Sequence, residues 1–161
     1  MANENLTARE SIIAPGETAP DFELPTQTPG KTWKLSEALK SGEGEVVLSF
    51  FPFAFTGVCG TEMACITKDL AVFTAKGATV VGISCDSSYA LNAWAQQLGL
   101  THTLLSDMHR KVCKAYGLYW ADLNVSGRGT VVISKNGKVK WSQRREPKNA
   151  FNEQELLAQM S

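Results

Sequence analysis

The chain alternates between short runs that are apolar at almost every position and longer stretches with apolar residues every three or four positions. Val46-Val47-Leu48-Ser49-Phe50-Phe51 is of the first kind, as expected of a strand covered on both faces. Thr79–Ser84 (TVVGIS) reads the same way. Between them Pro52 ends the first strand. A helix then follows from about Gly57 to Lys76, with Val58, Ile66, Leu70 and Phe73 spaced for one side. Ser88–Leu98 predicts a second helix, Arg110–Tyr116 a shorter one and Asn152–Met160 a closing one. Thr130–Ser134 and Val139–Ser142 flank Lys135-Asn136-Gly137-Lys138, where Asn-Gly is a strong hairpin signal. Nearer the start, Asp21–Leu24 and Lys31–Leu35 read as two short strands around Thr28-Pro29-Gly30. Ser36 is placed to cap a short helix, Ser36–Lys40. Residues 1–14 lack such a pattern and are expected to be a loose arm.

Strands joined through helices imply parallel pairing by right-handed crossovers, and the hairpin adds antiparallel strands. The expected class is α/β, a mixed central sheet with helices on both faces. Its element order matches the thioredoxin-type sandwich, as one domain over residues 1–161. In such sheets chemistry gathers at the carboxyl ends of the parallel strands. Cys59 follows one of those ends.

Composition narrows the partners. The 161 residues are 43% hydrophobic and 20% charged, and a chain of that length buries roughly 70% of its unfolded surface in one core. Lys+Arg and Asp+Glu both number 16, so neither nucleic acid nor a solvating acidic tail is indicated. The N-terminus lacks a basic stretch followed by an apolar core, and no apolar run approaches about 20 residues. A cytoplasmic location, with no membrane partner, is expected. On that reading the glycosylation-like triplets at Asn5 and Asn124 carry no information. Cysteines stand at 59, 65, 85 and 113. In a reducing compartment they are expected as thiols rather than structural bridges. No Cys-x-x-Cys occurs and the histidines are His102 and His109, so neither a metal nor a cofactor is expected.

The chemistry points to Phe50-Phe51-Pro52-Phe53-Ala54-Phe55-Thr56-Gly57-Val58-Cys59. With Thr56 as N-cap, Cys59 falls in the first helical turn, where backbone N–H groups lack helical partners. The positive end of the helix favours a thiolate there. Thr56 brings a hydroxyl close by, and Phe51, Phe53 and Phe55 are expected to wall the site. Such a thiolate attacks a peroxide O–O bond and becomes sulfenic acid. Donors are then needed on the oxygen that leaves. Glu62, one turn on, opposes a thiolate unless it holds an arginine, and Arg128 enters a later strand.

Pro52-x-x-x-Thr56-x-x-Cys59 resembles the peroxiredoxin signature. The flanking FFPFAFTGVCGTE is similar to the branch of bacterioferritin-comigratory proteins and one-cysteine alkyl hydroperoxide reductase E enzymes. Pro20-Asp21-Phe22, VVGISCDS, LLSD, AYGL and the Arg128 strand extend the resemblance over most of the chain. It implies a thiol-dependent peroxidase acting on hydrogen peroxide and organic hydroperoxides. It further implies Cys59 as the peroxidatic cysteine, Thr56 and Arg128 orienting the peroxide, Pro52 shielding the pocket and Glu62 bracing Arg128. The reductant would be thioredoxin, glutaredoxin or a low-molecular-weight thiol, and the assembly a homodimer.

Recycling stays open at this point. Related two-cysteine members place a resolving cysteine five residues after the first, whereas Cys65 lies six after Cys59. Six helical residues rise about 9 Å, and a disulfide needs Cα atoms about 5.5 Å apart, so Cys65 would require unwinding. Cys85, after TVVGIS, is a second candidate. An external thiol with a one-cysteine mechanism is the preferred reading. A non-enzymatic peroxide sensor is the alternative outside enzymology.

Overall fold

The computed structural model describes residues 9–160. The triplet at Asn5 and the first eight residues of the expected arm lie outside them. The order is β1 (Glu23–Pro25), β2 (Thr32–Lys34), α1 (Leu35–Ser41), β3 (Val46–Phe50), α2 (Gly57–Lys68), α3 (Leu70–Ala75) and β4 (Thr79–Ser84). Then follow α4 (Ser88–Leu98), β5 (Thr103–Ser106), α5 (Lys111–Ala115), β6 (Tyr119–Trp120), β7 (Val125–Ser126), β8 (Arg128–Ile133), β9 (Val139–Arg145) and α6 (Glu153–Ala158).

Five strands form the main sheet in the order β5-β4-β3-β8-β9. The β3–β4 and β4–β5 pairs are parallel, and β3–β8 and β8–β9 antiparallel. This is the mixed thioredoxin-like sheet the sequence pattern implies. Its centre is buried on both faces, as the unbroken apolar runs require. Because side chains alternate along a strand, Leu48, Phe50, Val81 and Ile83 face one layer while Val47, Val80, Leu104 and Val132 face the other. The first layer holds Leu35 of α1 with Val112 and Cys113 of α5. The second holds Met63 and Ile66 of α2, Phe73 of α3, Trp94 of α4 and Leu156 of α6. Gly82 makes that second layer fit, since a Cβ there would lie 2.8 Å from both Met63 Sδ and Leu104 Cδ2.

Several details differ from the sequence pattern. The long helix expected over Gly57–Lys76 is two helices, broken at Asp69 (φ −104°, ψ 17°). Cys59, Glu62, Met63 and Ile66 form the buried face of α2, so Val58 is not on it. Ser36 does not cap α1; Lys34 occupies that position, and Asp21 accepts the Ser36 N–H from outside the helix. The strand β5 was not anticipated, because four residues with two leucines carry too little periodicity. Residues 9–14 are not loose: Ile13 is fully buried, and its N–H reaches the Tyr116 carbonyl at 3.0 Å. Gly117 (φ 76°) admits that segment, since a Cβ there would sit 1.9 Å from the Ser11 carbonyl oxygen. No helix among the described residues is long and apolar enough to cross a membrane.

Candidate active site

Strand β3 ends at Phe50, and the chain crosses Pro52 and Phe55 before entering α2. Phe55 has a left-handed backbone (φ 65°), a costly conformation for an aromatic residue that the surrounding structure must hold. Asp86 does part of that holding. Its Oδ2 accepts the Ala54 N–H at 2.9 Å and the Ser84 hydroxyl at 2.7 Å, tying the loop to the end of β4. Phe51 packs into the core against Trp94 with ring centroids 5.4 Å apart. Phe53 and Phe55 differ from the expected wall, being exposed by 36% and 55%. Pro52 is buried.

Thr56 occupies the N-cap position of α2, but its side chain does not cap the helix. The hydroxyl donates instead to the Phe53 carbonyl at 2.8 Å. The Gly60 N–H is the first to join the helical ladder, onto the Thr56 carbonyl at 2.9 Å. The amides of Gly57, Val58 and Cys59 therefore precede that ladder.

Cys59 is only 1% exposed, and its sulfur meets a cation. Arg128, at the start of β8, places Nη2 2.9 Å from Cys59 Sγ. Its Nη1 donates to Glu62 Oε1 at 2.8 Å, and its Nε donates to the Pro147 carbonyl at 2.9 Å. All three donor nitrogens of the guanidinium are thus engaged, which fixes its plane. Glu62 also receives Arg145 Nη2 at 3.0 Å and the Phe151 N–H at 2.8 Å, both on Oε2. Two guanidinium groups therefore share one buried carboxylate. Burial draws the Arg145 guanidinium below its ordinary range, with Glu62 pulling the other way. Buried charges persist only when their hydrogen bonds are made, and here the glutamate's are.

Arg145 and Asp86 belong to this arrangement and were missed from the sequence. Arg145 is one of two adjacent arginines at the end of a strand, and nothing in the spacing separates it from Arg144. Among the described residues, Arg145 Nε is buried without a partner. A cavity of about 730 Å³ runs along Arg128, Arg144, Arg145 and Pro147; neither Cys59 nor Thr56 is on its wall.

The other candidate cysteines lie elsewhere. Cys65 sits at the far end of the unbroken α2, where its sulfur is 3.3 Å from Glu153 Oε2 and 3.9 Å from Asp69 Oδ2. Burial, then the Glu153 contact, push its thiol up to about 11. Cys85 lies two residues past Ile83 and so on the same side, packed with Cys113 in the first layer, whereas Cys59 packs in the second. The place of Cys85 just after TVVGIS therefore does not bring it into the layer of Cys59. His102 is buried between Thr67 Oγ1 (2.8 Å) and Met63 Sδ (3.4 Å).

A thioredoxin-type sheet presenting a cysteine in the first turn of a helix, with a braced arginine on the sulfur, is the layout of a peroxiredoxin. The chain belongs to the AhpC/TSA family, whose model matches residues 15–142. It is 33% identical over 136 residues to alkyl hydroperoxide reductase E of Mycobacterium tuberculosis, covering 82% of this chain and 86% of that protein. It is 31% identical over 134 residues to the chloroplastic 2-Cys peroxiredoxin BAS1 of Arabidopsis thaliana, covering 79% of this chain and 50% of that protein. Among solved structures, peroxidoxin BcpB of Mycobacterium tuberculosis superposes with a TM-score of 0.80 at 31% identity, over 91% of this chain and 96% of that one. Mycobacterium tuberculosis AhpC gives 0.82 at 26% identity, over 92% and 91%. The protein is accordingly a thiol-dependent peroxidase.

Proposed function

We propose that Cys59 is the peroxidatic cysteine of a single-domain hydroperoxide reductase recycled by an external thiol. The observation that carries this is the 2.9 Å contact from Arg128 Nη2 to Cys59 Sγ, with Glu62 holding the same guanidinium. Arg128 and Arg145 bring two positive charges to a buried cluster, and Glu62 brings one negative charge. A Cys59 thiolate supplies the second. The sulfur then attacks the near oxygen of ROOH, the O–O bond breaks, and the departing oxygen takes a proton to leave as ROH. Cys59 is left as sulfenic acid. Charge moves from sulfur to oxygen in this step, and Arg128 with the amides at the start of α2 stabilises it there. Thr56, whose hydroxyl hydrogen is committed to Phe53, offers its oxygen to the hydroperoxide O–H. Buried Pro52 shields the pocket.

Hydrogen peroxide and organic hydroperoxides are the substrates we assign. A reductant thiol then condenses with the sulfenic acid, releasing water and forming a mixed disulfide that a second thiol clears. Thioredoxin, glutaredoxin or a small thiol fits this role in the cytoplasm. Cys65 fits the resolving role poorly, because it lies six residues along an unbroken helix and against two carboxylates. A second copy of the chain is the expected assembly partner, with exposed Phe53 and Phe55 beside the site. The test is the intact mass of the reduced protein after one equivalent of hydrogen peroxide. Gain of one oxygen, absent in Cys59→Ser, is expected. Loss of two hydrogens would replace the external thiol by an internal one, and no rapid change would remove Cys59 from the chemistry.

A further inference from the structure

We infer that the described structure carries a second sulfur centre, a binding site for a thiophilic divalent cation such as zinc, formed by Cys85, Asp107 and Cys113. The Cys85 and Cys113 sulfurs and an Asp107 carboxylate oxygen all lie within 4.8 Å of one another, and all three residues are buried. Three separate pieces of chain supply them: the end of β4, the end of β5 and the middle of α5. A tetrahedral zinc ion with bonds of about 2.3 Å to sulfur and 2.0–2.2 Å to oxygen sets its ligand atoms roughly 3.6–3.8 Å apart, within that limit.

The supporting contacts orient the donors. Asp107 accepts the N–H groups of Val112 (3.2 Å, on Oδ1) and Cys113 (2.8 Å, on Oδ2), which fixes the carboxylate against the helix that carries Cys113. Such outer contacts are what hold metal ligands in place. Among the described residues Asp107 has no salt-bridge partner within 4 Å. The neighbouring Arg110 donates instead to the carbonyls of Asn124 and Met108. A buried carboxylate beside two sulfurs, with its nearby arginine engaged elsewhere, matches the mixed sulfur and oxygen donor set of a zinc site. Loading is balanced by protons: one divalent ion enters and the two thiols each release one. Three protein donors leave a fourth position for water. The second group of this kind, Cys65 with Asp69 and Glu153, has a single sulfur and is half-buried, and we assign it no ion.

The site faces the opposite layer from Cys59, so it is tested apart from peroxide chemistry. Cobalt(II) is titrated into reduced Cys59→Ser/Cys65→Ser protein, and the sulfur-to-cobalt charge-transfer band is followed. One equivalent is expected to saturate the band, with zinc displacing the cobalt and two protons released per ion. Adding Cys85→Ala or Cys113→Ala should abolish the band. Asp107→Asn, which removes the charged oxygen donor itself, should weaken binding by more than the roughly tenfold that loss of an outer-shell partner costs. In the wild-type protein, stoichiometric zinc should slow alkylation of Cys85 and Cys113 by a similar factor, a readout that needs no core substitution. No band at stoichiometric cobalt would overturn the assignment. So would a band that survives both alanine variants, or a Cys85–Cys113 disulfide formed by peroxide at an unchanged rate in the presence of zinc.

Discussion

Cys59 and Cys65 share one helix and one residue type, yet their surroundings are opposites. Cys59 lies in the first turn, buried, with a guanidinium on its sulfur. Cys65 lies near the last turn, half-buried, with Glu153 and Asp69 on its sulfur. The more buried of the two is the one given a cation. Depth alone therefore does not rank thiols for reactivity; the sign of the nearest charge and the end of the helix do.

The largest test of this contrast exchanges the two sulfurs for oxygen. Cys59→Ser should end peroxide consumption, while Cys65→Ser should keep a rate close to wild type in a stopped-flow assay. The opposite pattern would invert the assignment. Next comes the cation. Arg128→Ala should lower the second-order rate with peroxide by about 10²- to 10³-fold, the usual cost of one lost donor to a developing oxyanion. Arg128→Lys should recover only part, because a lysine cannot hold Cys59, Glu62 and Pro147 together from one planar group.

Glu62 tests the cost of breaking the cluster. Glu62→Gln should destabilise the fold by about 3–5 kcal/mol, as removal of one partner from a buried ion cluster generally does, read from urea unfolding. A loss below about 1 kcal/mol would mean the arginines find other partners.

His102 bonds α2 at Met63 and Thr67, between and beyond the two cysteines, and burial lowers its ring to about 4 from 6.5. The folded state thus resists protonation that the unfolded chain accepts. Stability is fully present above pH 6.5 and falls as pH drops towards 4, by about 3 kcal/mol in all. His102→Gln should flatten that part of the pH–stability curve. The smallest expected effect is at Glu153. Glu153→Gln should move the alkylation midpoint of Cys65 down from about 11; an unchanged midpoint would leave burial and the Asp69 carboxylate as the causes.

The sequence by itself determined the parallel β3–β4 core, the α4 limits, the β8–β9 hairpin and the position of Cys59 at a helix start. Each is a local matter: a run of apolar residues, a proline, an Asn-Gly pair. Arg128 and Glu62 were legible through the resemblance of their motifs, whereas Arg145 and Asp86 were not, since a side chain's partners across 83 or 32 residues leave no mark on its neighbours. Thr56 shows the same limit at short range. Its place at the cap was readable, and the direction of its hydroxyl was not. The pairing of Cys85 with Cys113, and its separation from Cys59, was decided only by tertiary structure. Strand alternation turns a shift of one residue into a change of face, and only the assembled layers reveal which residues wait on that face.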